Sequence, residues 1–251
     1  MNKFLSAVRD FIFFILPVCV SRFLKKFFYD GKNVFCPICG GSYKRFSDSM
    51  GRPGAKCPVC ESKERHRFLW LYLKNKTGIF SGGQKISLLH FAPEAKIQDI
   101  LRSWSNIYYV SADIESDLAM LKMDITDIIF KDDCFDLILC SHILEHIVDD
   151  KKAMKELHRV LKPNGKMLLQ IPVCGDKTFE DFCVTSEKDR EAVFGQKDHV
   201  RIYGSDIIDR LKESGFSLRI EYVKDLDDST IQKFGLKRDE NLYICEKSPV
   251  V

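Results

Sequence analysis

The chain has 251 residues, long for one domain and short for two full ones. Its 45% apolar and 30% charged residues are those of an ordinary globular protein and exclude a disordered chain. The net charge of +3 is unevenly spread: residues 1–82 carry 15 Lys and Arg against 5 Asp and Glu, a balance of +10, and the remainder carries −7. A basic front on a mildly acidic body suits either a phosphate- or lipid-facing role or ordinary solvated surface, and charge alone does not choose.

Taken in chain order, the first feature is the apolar run Phe11 to Val20, followed by Arg22, Lys25 and Lys26. Ten residues are too few to span a bilayer. No small-x-small cleavage site follows, as a signal peptide would require, and Pro17 interrupts any single helix. Residues 11–28 are therefore expected either as an interfacial element on a membrane surface or as a helix against the protein's own core. The chain is expected in the cytoplasm, with peripheral membrane contact on the first reading.

Four of the ten cysteines form "CPIC" (Cys36, Cys39) and "CPVC" (Cys57, Cys60). Two CxxC knuckles can each place a pair of thiolates on one ion and together close a tetrahedron, so a structural Zn2+ is expected there, with no open position for water. The remaining six lack a pairing pattern, and Cys134 and Cys140 read as small buried hydrophobes. This usage belongs to a reducing compartment. The segment "ESKERHRFLWLYLK" then reads as a docking helix, whose Arg65, His66 and Arg67 meet an anion or an acidic surface. The domain boundaries expected are 1–33 for the apolar and basic segment, 34–82 for the ribbon and its helix, and 83–251 for the body.

From Lys85 onward strands and helices alternate: "KISLLHF", helix 94–103, "IYYVSAD", "FDLILCS", helix 147–161, "KMLLQIPV", a long insert, helix 205–214, "SLRIEYV" and "NLYICEK". This alternation predicts an α/β fold with a mostly parallel sheet and helices on both faces. The last two strands read as a hairpin-like addition at an edge. Pro163 stops the second long helix and Asn164-Gly165 turns the chain. The loop after the first strand, His90-Phe91-Ala92-Pro93-Glu94, sits where such folds hold ligands but lacks the usual glycines.

Residues 133–173, "DCFDLILCSHILEHIVDDKKAMKELHRVLKPNGKMLLQIPV", resemble the fourth-to-fifth-strand block of class I S-adenosylmethionine-dependent methyltransferases, and more narrowly the type 11 group. The block is a strand, S-x-x-LEH, a helix ending RVLKPNG and a strand ending in Pro. The resemblance implies a Rossmann-like class I methyltransferase sheet preceded by the four-cysteine zinc ribbon, and S-adenosyl-L-methionine as cofactor. It implies that Asp113, with Ile114 beside it, serves the ribose hydroxyls and that Asp124 and Ile125 read the adenine. It further implies that Cys140 and Ser141 face the methionine part. Phe91 and Ala92 would present backbone to that end, and Glu94 would supply the carboxylate the loop otherwise lacks. Glu145 and His146, in the LEH stretch, are expected to cap and pack.

The insert 174–204 lies where related enzymes place substrate contacts. Its segment "FGQKDHVRIYG" puts His199, Arg201 and Tyr203 on one face of an extended chain. His199 is the candidate base or acceptor-orienting residue and Arg201 the candidate anchor for an anion or carbonyl. The favoured function is methyl transfer to a small-molecule or glycan hydroxyl. An rRNA base methyltransferase using the ribbon on RNA, and a cofactor-free pseudoenzyme, are the alternatives.

Overall fold

The computed structural model describes residues 17–248, Met50 excepted. Residues 11–16 of the apolar run lie outside the described residues. The chain falls into two compact units: one takes the residues up to Tyr72 together with Val223–Arg238, the other takes Leu73–Tyr222 and the chain from Asp239 onward. The expected boundaries keep 83–251 together, because nothing local in the sequence marks 223–238 as belonging with the ribbon.

In the first unit, helix α1 (Val18–Tyr29) starts directly after Pro17, whose fixed φ suits a helix entry. Hairpin-like pairs follow, β1 (Asp30–Phe35) with β2 (Ser42–Tyr43) and β3 (Ser47–Ser49) with β4 (Arg52–Lys56), both antiparallel. Helix α2 (Glu64–Lys76) begins there. Its Arg67 is fully buried over the Phe46 ring and donates hydrogen bonds to the carbonyls of Ala55, Ser62, Phe234 and Gly235. The basic "ERHR" head thus spends Arg67 inside its own unit, where it meets main-chain carbonyls instead of an external anion. No helix among the described residues is long and apolar enough to cross a membrane.

The second unit is built on a seven-stranded sheet. In chain order come β5 (Ile86–Phe91), α3 (Ala95–Ser103), β6 (Ile107–Asp113), β7 (Leu121–Lys122) and β8 (Phe135–Ser141). Then follow α4 (Asp150–Val160), β9 (Leu161–Gln170), β10 (Phe179–Glu180), α5 (Glu187–Phe194), β11 (Arg201–Ile202), α6 (Ile207–Glu213), β12 (Phe216–Tyr222) and, after α7 (Asp228–Phe234) of the first unit, β13 (Asn241–Lys247). The order across the sheet is β12-β13-β9-β8-β5-β6-β7, parallel except for β13, which runs antiparallel to both its neighbours. The expected terminal pair is therefore present, with β13 laid between β9 and the edge strand β12.

From β5 the chain steps to β6 on one side, and from β8 it steps to β9 on the other. Right-handed crossovers then put α3 and α4 on opposite faces, and the reversal opens a crevice at the carboxyl ends of β5 and β8. The strands are apolar on both sides because both are covered: Leu89, Ile138, Leu139, Met167 and Leu169 are all fully buried. Asn164 takes φ +63°, the left-handed conformation that Asn tolerates in place of glycine.

Candidate functional site

The loop leaving β5 is stiffened by side chains where glycines would otherwise shape it. Ala92 adopts φ +47°, and its N–H donates to Ala112 O at 2.9 Å, so this amide is spent within the sheet. His90 is fully buried, its Nδ1 3.0 Å from Tyr109 Oη and its Nε2 3.2 Å from Glu94 Oε2. Tyr109 Oη and Ser111 Oγ both donate to Gln98 Oε1. The Glu94 carboxylate, the candidate replacement for the acidic residue of a glycine-rich loop, thus points at a buried imidazole. Phe91 is buried in the core, leaving only its main chain for a ligand.

At the end of β6, Asp113 Oδ1 accepts from the N–H groups of Glu115 and Ser116, at 2.8 and 2.7 Å. That turn fixes the carboxylate and leaves its second oxygen for a ligand. Ile114 beside it is 63% exposed, an apolar side chain open to solvent at the crevice. Met123 N donates to Asp113 O at 3.1 Å, which brings Asp124 alongside. Asp124 is exposed, with Oδ1 accepting from Thr126 N, while Ile125 packs into the core. Asp113, Ile114 and Asp124 therefore fit the ribose and adenine of the expected cofactor.

At the end of β8 the outcome is mixed. Ser141 Oγ donates to Gln170 Oε1 at 3.2 Å on the edge of the crevice. Cys140 departs from its expected place facing the methionine part: it is fully buried in the core, and burial raises its thiol pKa. Strand alternation sends only one of two adjacent residues toward a ligand, and here that is Ser141.

Beyond β8 the chain bends at His142 (φ +55°) into a short 3-10 turn, Leu144–His146. The expected capping by Glu145 is absent: helix α4 is capped by Asp149, whose side chain accepts from Lys152 N. His199 is buried beside this turn, its ring 4.6 Å centroid to centroid from that of His146. Burial and the neighbouring His146 hold the His199 pKa below the ordinary imidazole value. Val200 N donates to Glu145 O at 3.0 Å, tying the insert to the turn.

Arg201 differs from the expectation of an acceptor anchor. It is 1% exposed, its Nη1 donates to the carbonyls of Leu144 and Ile147, its Nη2 to Val148 O, and its Nε to Glu180 Oε2. The carbonyls it anchors are the protein's own. Tyr203 donates to Asp150 Oδ2 at 2.6 Å, and Arg210 bridges Asp150 and Glu180. This charged network holds the turn. Asp150, Glu180 and Arg210 escaped the sequence reading because each, taken locally, looks like ordinary helix or loop charge.

In the first unit, Cys36, Cys39, Cys57 and Cys60 converge. The knuckles repeat one geometry: Gly40 N returns to Cys36 O and Glu61 N to Cys57 O, both residues at positive φ. Sulfurs about 2.3 Å from a zinc ion in a tetrahedron lie about 3.8 Å apart. The observed separations of 3.5 Å for Cys36–Cys60 and 3.7 Å for Cys39–Cys57 are close to that, consistent with a zinc ribbon.

Residues 95–169 match the family model described as a methyltransferase domain. The ubiquinone/menaquinone biosynthesis C-methyltransferase of Vibrio vulnificus is 36% identical over 64 residues, 26% of this chain and 20% of that protein. The chain spans a quarter or less of the length of the curated relatives it first matches. Among solved structures, a SAM-dependent methyltransferase from Archaeoglobus fulgidus superposes with a TM-score of 0.51 at 12% identity, covering 74% of this chain and 95% of that one. An S-adenosylmethionine-dependent methyltransferase from Mesorhizobium loti gives 0.50 at 14% identity, covering 70% and 95%. These likenesses concern the fold, and they agree with the strand order described above. The chain thus has a Rossmann-like fold of the class I methyltransferase kind, and residues 95–169 within it match the methyltransferase-domain model.

Proposed function

We propose that the chain is an S-adenosylmethionine-dependent methyltransferase acting on a hydroxyl of a small-molecule or glycan acceptor, with a structural zinc in its four-cysteine ribbon. The observation that carries the reading is the pairing of Asp113 and Asp124 with exposed Ile114 at the switch point of the sheet. When bound, the cofactor supplies an electrophilic methyl carbon and a thioether leaving group. Asp113 holds the ribose hydroxyls, Asp124 the adenine amine and Ile114 its face. Ser141 and the main chain of Phe91 and Ala92 border the methionine end.

His199 serves the acceptor hydroxyl, as its base or by orienting it, from a segment tied to the turn that follows β8. Arg201 is assigned to holding that turn. Helix α1 adds a second proposed contact. Phe23 and Phe27, one helical turn apart, are both exposed beside Lys25 and Lys26, a pattern suited to an anionic membrane surface.

Calorimetry with S-adenosylmethionine tests the assignment. Wild-type chain should release heat on binding, and Asp113→Ala should weaken the affinity by about 1.5–3 kcal/mol, the worth of charged hydrogen bonds. His199→Ala should bind cofactor normally but transfer methyl about 10²–10⁴-fold more slowly. A wild-type chain with no heat at millimolar cofactor is a pseudoenzyme. Acceptor activity confined to RNA would replace the hydroxyl reading.

A further inference from the structure

The turn after β8 and the insert bring together groups that methyl transfer from a sulfonium does not by itself require. One ligand atom each from Glu145, His146 and His199 lies within 4.8 Å of the others, and Glu145 and His199 are buried. Among the described residues, neither carboxylate oxygen of Glu145 accepts a hydrogen bond, although the residue is 1% exposed. His142 Nδ1 lies 3.3 Å from Glu145 Oε1, yet its own Nε2 is buried without a hydrogen-bond partner. A carboxylate in such a place needs either a proton or a cation. Two imidazoles beside it favour the cation.

The surroundings match what a metal site needs. His146 Nδ1 is 3.3 Å from both the carboxylate and the main-chain carbonyl of Asp198, which keeps a proton on Nδ1 and turns the Nε2 lone pair free. This is the carboxylate–histidine support that orients metal ligands. Arg201 fixes the carbonyls on either side of Glu145 and His146, and Val200 N is bonded to Glu145 O. Donors about 2.1 Å from one ion lie about 3.0–3.4 Å apart, so closing the set takes side-chain rotation on a backbone already held.

We propose that Glu145, His146 and His199 bind a divalent transition-metal cation, with His142 supporting Glu145. Two nitrogens and one carboxylate suit zinc, cobalt or manganese, and three protein ligands leave positions open. Resting on the methyltransferase reading, an acceptor oxygen takes an open position, and this is how His199 orients the acceptor. The site lies just past Ser141, on the side of the crevice away from Asp113.

The test titrates the full-length, zinc-loaded chain with cobalt chloride alone and follows visible absorption. Expected are one added Co2+ per chain and the weak bands of nitrogen and oxygen ligation, without the intense charge-transfer bands of thiolates. Glu145→Gln and His199→Ala should each weaken that uptake at least tenfold, and exposed Glu187→Gln should not. Unchanged zinc content and circular dichroism confirm that the variants fold. No cobalt uptake at millimolar concentration, or wild-type affinity in both site variants, overturns the proposal. Cofactor calorimetry on the same samples separates the two claims. Cobalt uptake without cofactor heat sinks the methyltransferase reading and leaves the metal site, and cofactor heat without cobalt uptake sinks the site alone.

Discussion

Arg201 shows how a polar residue in a substrate insert can be structural. Its guanidinium reaches three main-chain carbonyls and Glu180 from a fully buried position. Replacing it by an apolar side chain takes a donor from each of those carbonyls, and Arg210 becomes the sole cation of the Asp150–Glu180 network. Arg201→Met is expected to cost about 3–5 kcal/mol, as breaking a buried pair does. Arg201→Lys should recover only part of this, because an ammonium cannot reproduce the planar fork. Urea denaturation midpoints measure both, and the cobalt affinity should fall in parallel, since the turn carries Glu145 and His146. What the sequence revealed here was that His199, Arg201 and Tyr203 share one face of an extended segment, a face the structure buries. It could not reveal what that side faces, because their partners lie 21 to 59 residues away along the chain.

Among elements, the ribbon was the most legible. Its ligand spacing is local, and the four sulfurs meet as the two CxxC pairs require. Cys57→Ser should lose the metal and the order of residues 34–67 together, because binding free energy in such small modules is folding free energy. Metal analysis and amide exchange on the variant check it, and zinc retained at full stoichiometry would contradict it. The sheet was legible in its strands, from the alternation of β-rich apolar runs with amphipathic helices. Its order rested on the LEH-to-KPNG block. The ends of strands were harder. Between Cys140 and Ser141 a shift of one residue exchanges core for crevice. The LEH stretch looked like the start of a helix, yet helix α4 begins four residues beyond His146, capped by Asp149. That displacement frees Glu145 and His146 from capping.

At the scale of the whole molecule, the charge asymmetry and the exposed phenylalanines of α1 converge on one expectation. The full chain should cosediment with vesicles containing anionic phospholipid and less well with neutral ones, with binding falling as salt rises. Phe23→Ser with Phe27→Ser should reduce it at least tenfold, at about 0.8 kcal/mol per buried CH2-sized group lost. Equal binding by this variant would assign the helix to packing.

The first unit is assembled from two segments far apart along the chain, and this dictates when it can be completed during synthesis. The Nε of Arg67 finds its acceptor, Phe234 O, 167 residues downstream. At roughly 5–20 residues per second of translation, the arginine waits about 10–30 s for that carbonyl. Before then the knuckles can hold metal, but of the four carbonyls that accept from the guanidinium only those of Ala55 and Ser62 have been made. The unit that is begun before the seven-stranded sheet is thus finished only after six of its strands have been made, and a chain that stops at Tyr222 leaves it open.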